Sequence, residues 1–179
     1  LPFTAGQATW SFLQLNGYGA SQIAGGGNLL NASQKSNLLS NADTNGGRIA
    51  NFVENVAGQA VTREGRAVSG EFIDIIRGID ALDEAMTKAL FSLIINQKGK
   101  KLPFTASGLT LVKSVMSDVL GGFVARGFIE SNFEITVPSV GDIPFNTKAL
   151  RRLEGCGFTA FLQGAIHFIE LNGEVTFPT

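Results

Sequence analysis

The sequence contains a single histidine, His167, and a single cysteine, Cys156. A histidine can act as a general base or a metal ligand near neutral pH, and a cysteine becomes a nucleophile when a nearby base activates it. The two residues could approach each other across a hairpin, but no third group that would orient the histidine is evident. A zinc site needs more Cys or His ligands than the sequence supplies. We therefore expect both residues to be structural and predict no catalytic or metal site.

Carboxylates form a second group that could do chemistry. Asp74, Asp80, Asp83 and Glu84 fall on a predicted long helix. Paired carboxylates can act as general acid and base only when they are held close together and partly desolvated. Glu84 instead stands four residues before Lys88, the spacing of an ion pair on a solvated helix face. We expect these acids to be solvated rather than catalytic.

The glycine-rich segments do not match nucleotide-binding motifs. Gly25-Gly26-Gly27 is not followed by Lys-Ser or Lys-Thr, so it is not a phosphate-binding P-loop. Gly17-Tyr18-Gly19 lacks the third glycine of the dinucleotide fingerprint. The sequence therefore predicts a protein that is not an enzyme and that uses no cofactor and no small-molecule substrate.

Composition limits the classes of partner. The net charge is -1 and neither sign forms a long block, so we expect no nucleic acid and no anionic membrane as partner. No uninterrupted apolar run approaches the ~20 residues that span a bilayer. Charged residues make up only 16% of the chain, which suits either a surface covered by partner proteins or a large core. One cysteine excludes an internal disulfide and fits assembly in a reducing cytoplasm.

The first third of the chain is rich in glycine and asparagine. We assign residues 1–60 to a strand and loop region that is attached to the core formed by residues 61–179. Alternation and turn residues predict the following elements: a strand over 9–15, a short helix from Ser33 to Leu39, a strand over 49–56, and a hairpin turn at 63–66 between 59–62 and 67–68.

Two long helices are predicted in the middle third. From Glu71 onward, apolar residues recur at spacings of three and four, namely Phe72, Ile76, Ile79, Leu82, Met86, Leu90 and Leu93, with Ile75, Ala89 and Ile94 widening the stripe. Ser69 is the predicted cap of this helix. The second helix follows Pro103, with Thr105 or Ser107 as its cap. Because the link is short, we expect the two helices to be antiparallel.

Strands return in the last third. Residues 133–137, 158–162 and 166–171 alternate polar and apolar side chains, and residues 147–153 suit a helical turn. Asn172-Gly173 is a turn signal that also fits a bulge in one long strand. The order of elements predicts an α+β fold, with a mostly antiparallel sheet and two long amphipathic helices packed on one face.

An ordered series of segments resembles the sheath-like proteins of contractile phage tails. The resemblance covers about two-thirds of the chain and is carried by the following segments: 61–65, 69–74 and 76–82, then Leu102-Pro103-Phe104-Thr105, Arg126-Gly127-Phe128-Ile129, Arg151-Arg152-Leu153, Phe158-Thr159-Ala160, 164–167 and 171–175. Members of that family are considerably longer, and this chain starts at Leu1-Pro2 without a methionine. We therefore expect it to be the C-terminal portion of a longer sheath subunit.

The resemblance implies a structural virion protein that stacks in helical rings around a tail tube and has no catalytic residues. It implies a homo-oligomer in the full-length assembly, with the tail tube protein as a further partner, assembled in the host bacterial cytoplasm. Terminal arms of such subunits add strands to sheets of their neighbours. We accordingly expect a set of C-terminal residues to lie near an inter-subunit edge: Glu170, Asn172, Glu174, Val175 and Phe177.

Three alternatives stay open at this point. The C-terminal residues could form an ordinary hairpin within one subunit. The chain could be another non-enzymatic tail, baseplate or contractile injection-system component. It could also be a small hydrolase that uses Cys156 and His167.

Overall fold

The computed structural model describes residues 5, 7–14, 33–34, 50–56, 59–167 and 169–173. The chain divides into two compact units. The first unit comprises Leu1–Thr9 and Arg66–Gln163, and the second comprises Trp10–Gly65 and Gly164–Thr179. This division does not show which segment folds by itself, so the predicted boundary at residue 60 stays a prediction. The glycine-rich segments at 17–19 and 25–27 and most of the predicted helix from Ser33 lie outside the described residues.

Helix α1 spans Ile73–Ile95. Its buried face is formed by Gly78, Leu82 and Met86. Leu82 and Met86 belong to the apolar stripe that the spacing predicts, and Gly78 lies beside that stripe. The predicted cap Ser69 is wrong, because the residue before the helix is Phe72 and no side chain bonds to the helix start. The chain leaves the helix through Lys98 and Gly99, whose φ angles of 49° and 83° are left-handed and cannot continue a helix.

Helix α2 spans Ala106–Ala125. Of the two predicted caps, Thr105 is the one used, and its hydroxyl accepts a hydrogen bond from the Gly108 backbone N–H at 3.3 Å. The helix buries one face, which consists of Gly108, Leu109, Val112, Met116, Leu120 and Phe123. Of the described helices, α2 is the one whose length and apolar composition would be sufficient to cross a membrane. Many core helices meet the same criterion.

The two helices form an antiparallel hairpin around the apolar core. Gly78 lies early in α1, and a Cβ placed there would stand 2.1 Å from the ring of Phe128, which follows the end of α2. The start of α1 is therefore beside the end of α2, as the short link predicts. Phe128 also packs edge-on against Phe123, with ring centroids 5.9 Å apart. Leu82, Met86, Val112, Met116 and Leu120 complete this core with Ile129.

A short antiparallel ribbon lies in the same unit. Strand β3, Glu134–Thr136, pairs with β4, Gly157–Thr159, and Ile135 stands opposite Phe158. Beyond this ladder, Ile129 bridges Leu162, with backbone hydrogen bonds on either side of it. Helix α3 spans Phe145–Ala149 and follows Pro144. The sequence predicts a helical turn over 147–153, so this helix begins two residues earlier than predicted.

The second unit contains a ribbon of two strands, β1 (Phe52–Val56) and β2 (Gln59–Arg63). They are antiparallel, with Val53 opposite Thr62. The predicted hairpin around residues 63–66 is therefore wrong, because β2 pairs with the strand before it rather than with residues 67–68. The predicted strand over 9–15 is also wrong in its first half, where the chain turns, and among its described residues Gln14 forms the one β-bridge, to Val61.

The mixed α+β class is confirmed by these helices and ribbons. In the described part of the chain the strands form two separate two-stranded sheets, rather than the single large sheet that the alternation predicts. The segment 166–171 also differs from the prediction, because none of its described residues lies in a strand. Alternation marks residues that can pair, but it does not supply the partner strand.

Candidate assembly interface

Among the described residues of the second unit, the most exposed large apolar side chains lie in the C-terminal segment, residues 164–173. Ile166, Ile169 and Leu171 are 82%, 87% and 89% exposed. The described residues of this segment form no helix or strand, and Glu170 is exposed as well. Isolated exposed apolar residues are ordinary, but three within six positions place an unusual amount of apolar surface in one short segment.

The predicted interface residues fall partly within this segment. Glu170 and Asn172 are exposed and belong to no described strand. Glu174, Val175 and Phe177 lie outside the described residues. The inter-subunit role of all five stays a prediction, and the structure adds the three apolar neighbours, which sequence reasoning assigned to a strand without naming them as interface residues.

The ribbon of β3 and β4 offers backbone edges to a further strand. Among the described residues, each of these two strands pairs only with the other. Within β4 and just after it, Phe158, Phe161 and Leu162 are 40%, 54% and 41% exposed. An open strand edge beside apolar side chains is the surface to which an extended peptide adds as a new strand.

The sole cysteine lies at the end of this ribbon. Cys156 is exposed and stands between Gly155, whose φ is 81°, and Gly157 at the start of β4. Desolvation raises the pKa of the Cys156 thiol above its usual value. A raised pKa reduces the thiolate population at neutral pH, which is the opposite of what an activated nucleophile needs.

The sole histidine belongs to the second unit. The ring of His167 packs edge-on against Phe12, with centroids 6.4 Å apart and planes at 72°. The guanidinium carbon of Arg63 lies over the Phe12 ring, 4.9 Å from the ring centroid, in a cation–π contact. The nitrogen Nε of Arg63 is 3.1 Å from a carboxylate oxygen of Glu54. These contacts give His167 an aromatic packing partner.

Asp80, Asp83 and Glu84 are exposed, as expected for a solvated helix face, but the Oδ1 atom of Asp74 is buried and accepts no hydrogen bond from the described residues, so Asp74 is only partly solvated. Glu84 bonds to Lys88 one turn later, and this ion pair lowers the pKa of the Glu84 carboxyl. Both side chains are exposed, so the pair adds little to stability. Among the described residues, no group of three or more His, Cys, Asp and Glu side chains could hold a metal ion.

A second apolar surface lies on the outer side of α1. Ile79 and Ile94, which the apolar spacing places in the buried stripe, are 51% and 62% exposed, so this part of the prediction is wrong. Phe91 and Ile95 are exposed beside Ile94. Their spacing of three and four positions is visible in the sequence, but it does not show which of two apolar faces the neighbouring helix covers.

No protein-family model matches the chain, and no curated protein matches it.

Proposed function

We propose that this chain is the C-terminal portion of a structural subunit of a contractile phage tail sheath, which stacks in helical rings around a tail tube. The observation that carries the proposal is the C-terminal segment, where Ile166, Ile169 and Leu171 are almost fully exposed. Burying a side chain of this kind contributes about 1.5–3 kcal/mol. Their exposure in a single copy fits a segment that becomes buried in an assembly.

The acceptor for this segment is an open edge of a two-stranded ribbon in a neighbouring copy. The ribbon of β3 and β4 presents such an edge, and its ladder of three residue pairs is short for an independent sheet. Added strands from neighbours would lengthen and widen it. The mostly antiparallel sheet with two long helices on one face is then a property of the assembled array.

A subunit that transmits force must be stiff. Helix α1 has 23 residues, which corresponds to about 35 Å, and it packs against α2 around a core in which Leu120 and Phe123 are 0% and 2% exposed. In the proposed mechanism the extended array is metastable, and contraction repacks rigid subunits while the added strands stay joined.

The proposal assigns the chain no enzymatic activity, no cofactor and no small-molecule substrate. Its partners are other copies of the subunit and the tail tube protein, without nucleic acid or membrane. The assembly takes place in the host bacterial cytoplasm and ends in the virion. The resemblance of the ordered segments from residue 61 to residue 175 supports this assignment.

The test compares assembly of the full-length subunit that contains this chain, here the parent chain, with that of a variant in which Ile166, Ile169 and Leu171 are all changed to Ser. Electron microscopy of the parent chain is expected to show helical tubes, and the triple variant is expected to stay dispersed with an unchanged circular dichroism spectrum. Phe145→Ser is the matched control, because Phe145 is 83% exposed and lies on α3. A parent chain that remains monomeric at every salt and protein concentration contradicts the proposal, as does a triple variant that still forms tubes.

A further inference from the structure

The C-terminal segment is attached to the rest of the second unit at His167. Of the described residues of the segment, His167 is half-buried and all the others are exposed. The apolar side chains on either side of it, Ile166 and Ile169, are 82% and 87% exposed. Because the described residues of the segment form no helix or strand, the attachment that they show comes from the side chain of His167.

The ring of His167 packs on Phe12, which belongs to the same unit. The two ring centroids are 6.4 Å apart and the ring planes meet at 72°. Aromatic pairs favour this edge-on arrangement at centroid separations of about 4.5–7 Å. Phe12 is 39% exposed, so its ring is partly covered. The contact therefore joins the last described segment of the chain to a turn near the start of the chain.

Phe12 is itself held in place by the ribbon of β1 and β2. Its φ angle of 58° is left-handed, which is uncommon for a bulky side chain, and its backbone N–H donates to the Thr62 carbonyl at 2.8 Å. The guanidinium of Arg63 covers the ring, and the Nε atom of Arg63 is 3.1 Å from a carboxylate oxygen of Glu54. Because the ribbon contacts both its backbone and its ring, Phe12 is a fixed support for the segment.

We propose that the Phe12 ring is an intramolecular anchor that holds the C-terminal segment at His167. The anchor leaves Ile166, Ile169 and Leu171 exposed on either side of the attachment point. A segment that is held at one point has less conformational freedom to lose when a partner binds it. In this respect the inference rests on the proposed function, because the partner is a neighbouring copy of the subunit. The anchor itself does not depend on that function.

The first test measures the ring contact by nuclear magnetic resonance of the 179-residue chain. His167 is the one histidine in the sequence, so its imidazole signals are identified directly. Phe12→Leu removes the aromatic ring, and leucine disfavours a left-handed backbone as phenylalanine does. The imidazole protons are expected to lose the ring-current shift of Phe12 and to move to the positions of a free histidine. Spectra are compared on the high-pH plateau of the titration, so that the protonation state is the same.

Phe158→Leu is the matched control for this measurement. Phe158 is 40% exposed, close to the 39% of Phe12, and it lies on β4 of the first unit. The control deletes the same atoms, and the imidazole signals of His167 are expected to stay where they are. Imidazole signals that do not move in Phe12→Leu overturn the inference, as do signals that move equally in both variants.

The second test asks whether the contact restrains the segment. The backbone order parameter of residue 167 is expected to exceed about 0.6 in the unsubstituted chain and to fall below about 0.6 in Phe12→Leu and His167→Ser. His167→Phe keeps an aromatic ring and should keep the order. Unchanged amide exchange in β1 and β2 shows that the variants remain folded. A low order parameter in the unsubstituted chain, or serine and phenylalanine variants that behave alike, overturns the inference.

The third test links the anchor to assembly of the full-length subunit. Phe12→Leu is expected to raise the protein concentration at which tubes form by about 2- to 10-fold, the ratio that corresponds to the loss of one edge-on aromatic pair. Tubes that form at an unchanged concentration contradict the use of the anchor in assembly. If the unsubstituted subunit forms no tubes, the sheath proposal fails, while the two resonance measurements still decide whether the anchor exists.

Discussion

The helical hairpin of the first unit and the ribbon of the second unit are stabilised by different interactions. In the hairpin, Leu120 and Phe123 are among the largest fully buried side chains, and their neighbours in the core are apolar. In the ribbon, the buried side chain with the most described hydrogen bonds is Thr62, a polar residue that is 4% exposed. The helical core consists of packed apolar side chains, whereas the ribbon buries a hydrogen-bonded polar side chain beside Ala60 and Val61.

The bonds of Thr62 hold residues 10–13 against β2. Its hydroxyl donates to the Trp10 carbonyl and accepts from the Leu13 backbone N–H, which is 3.1 Å away. Its backbone N–H donates to the Leu13 carbonyl, and its carbonyl accepts from Phe12 at 2.8 Å. Thr62 therefore satisfies its own polar groups together with polar groups of the turn formed by residues 10–13. Substituting Thr62 tests how much these hydrogen bonds contribute.

The largest expected effect comes from Phe123→Ala in the helical core. The ring fills a site that is closed to solvent, so its removal should lower the free energy of unfolding by about 3–5 kcal/mol. Phe91→Ala is the matched control, because it deletes the same atoms from a ring that is 63% exposed. Denaturant unfolding followed by circular dichroism measures both. Equal losses at the two positions would contradict a core formed between α1 and α2.

A smaller effect is expected from adding one methyl group at Gly78. The new Cβ would stand 2.1 Å from the ring of Phe128, which is buried and packed on Phe123, so the ring cannot move freely. Gly78→Ala should therefore lower the free energy of unfolding by about 1–3 kcal/mol. Gly121→Ala in α2 has no neighbour within 4 Å of the new atom. It should raise the free energy of unfolding by up to about 1 kcal/mol, because alanine has the higher helix propensity. If both substitutions change the free energy of unfolding in the same direction, the close packing of Gly78 against Phe128 is refuted.

An effect of similar size tests the polar side of the comparison. Thr62→Val keeps the shape of the side chain but removes the hydroxyl that bonds to the Trp10 carbonyl and the Leu13 N–H. We expect the free energy of unfolding to fall by about 1–3 kcal/mol. We expect faster amide hydrogen exchange at Leu13, with α1 and α2 unaffected. Thr62→Ser retains the hydroxyl and should retain most of the protection. If valine and serine behave alike, the hydroxyl does not hold this turn.

The helical hairpin could be predicted from sequence because its signals are local. Apolar spacing of three and four marks both helices, and Thr105 precedes the second at the position where a cap is needed. The end of α1 could be predicted as well, since Gly99 follows the last helical turn. These signals depend on residues close together in the chain, so they do not require knowledge of what packs against the helix.

Strand pairing and the exposed faces could not be predicted in the same way. The alternation in 59–62 is compatible with a partner on either side, and the structure selects Phe52–Val56 rather than the residues after the turn. Ile94 fits the apolar period of α1, yet α2 packs on the opposite face of that helix. The interface residues predicted from resemblance depend on a partner chain, which sequence periodicity does not describe.

The single thiol at Cys156 makes the chain suitable for site-specific fluorescence. One exposed cysteine in the entire sequence means that a maleimide dye attaches at one position, at the end of the ribbon of β3 and β4. Since desolvation raises the pKa of this thiol, labelling should proceed faster in mildly alkaline buffer than at neutral pH. Energy transfer between donor- and acceptor-labelled copies would then report the spacing of ribbons in solution, without any substitution in the chain.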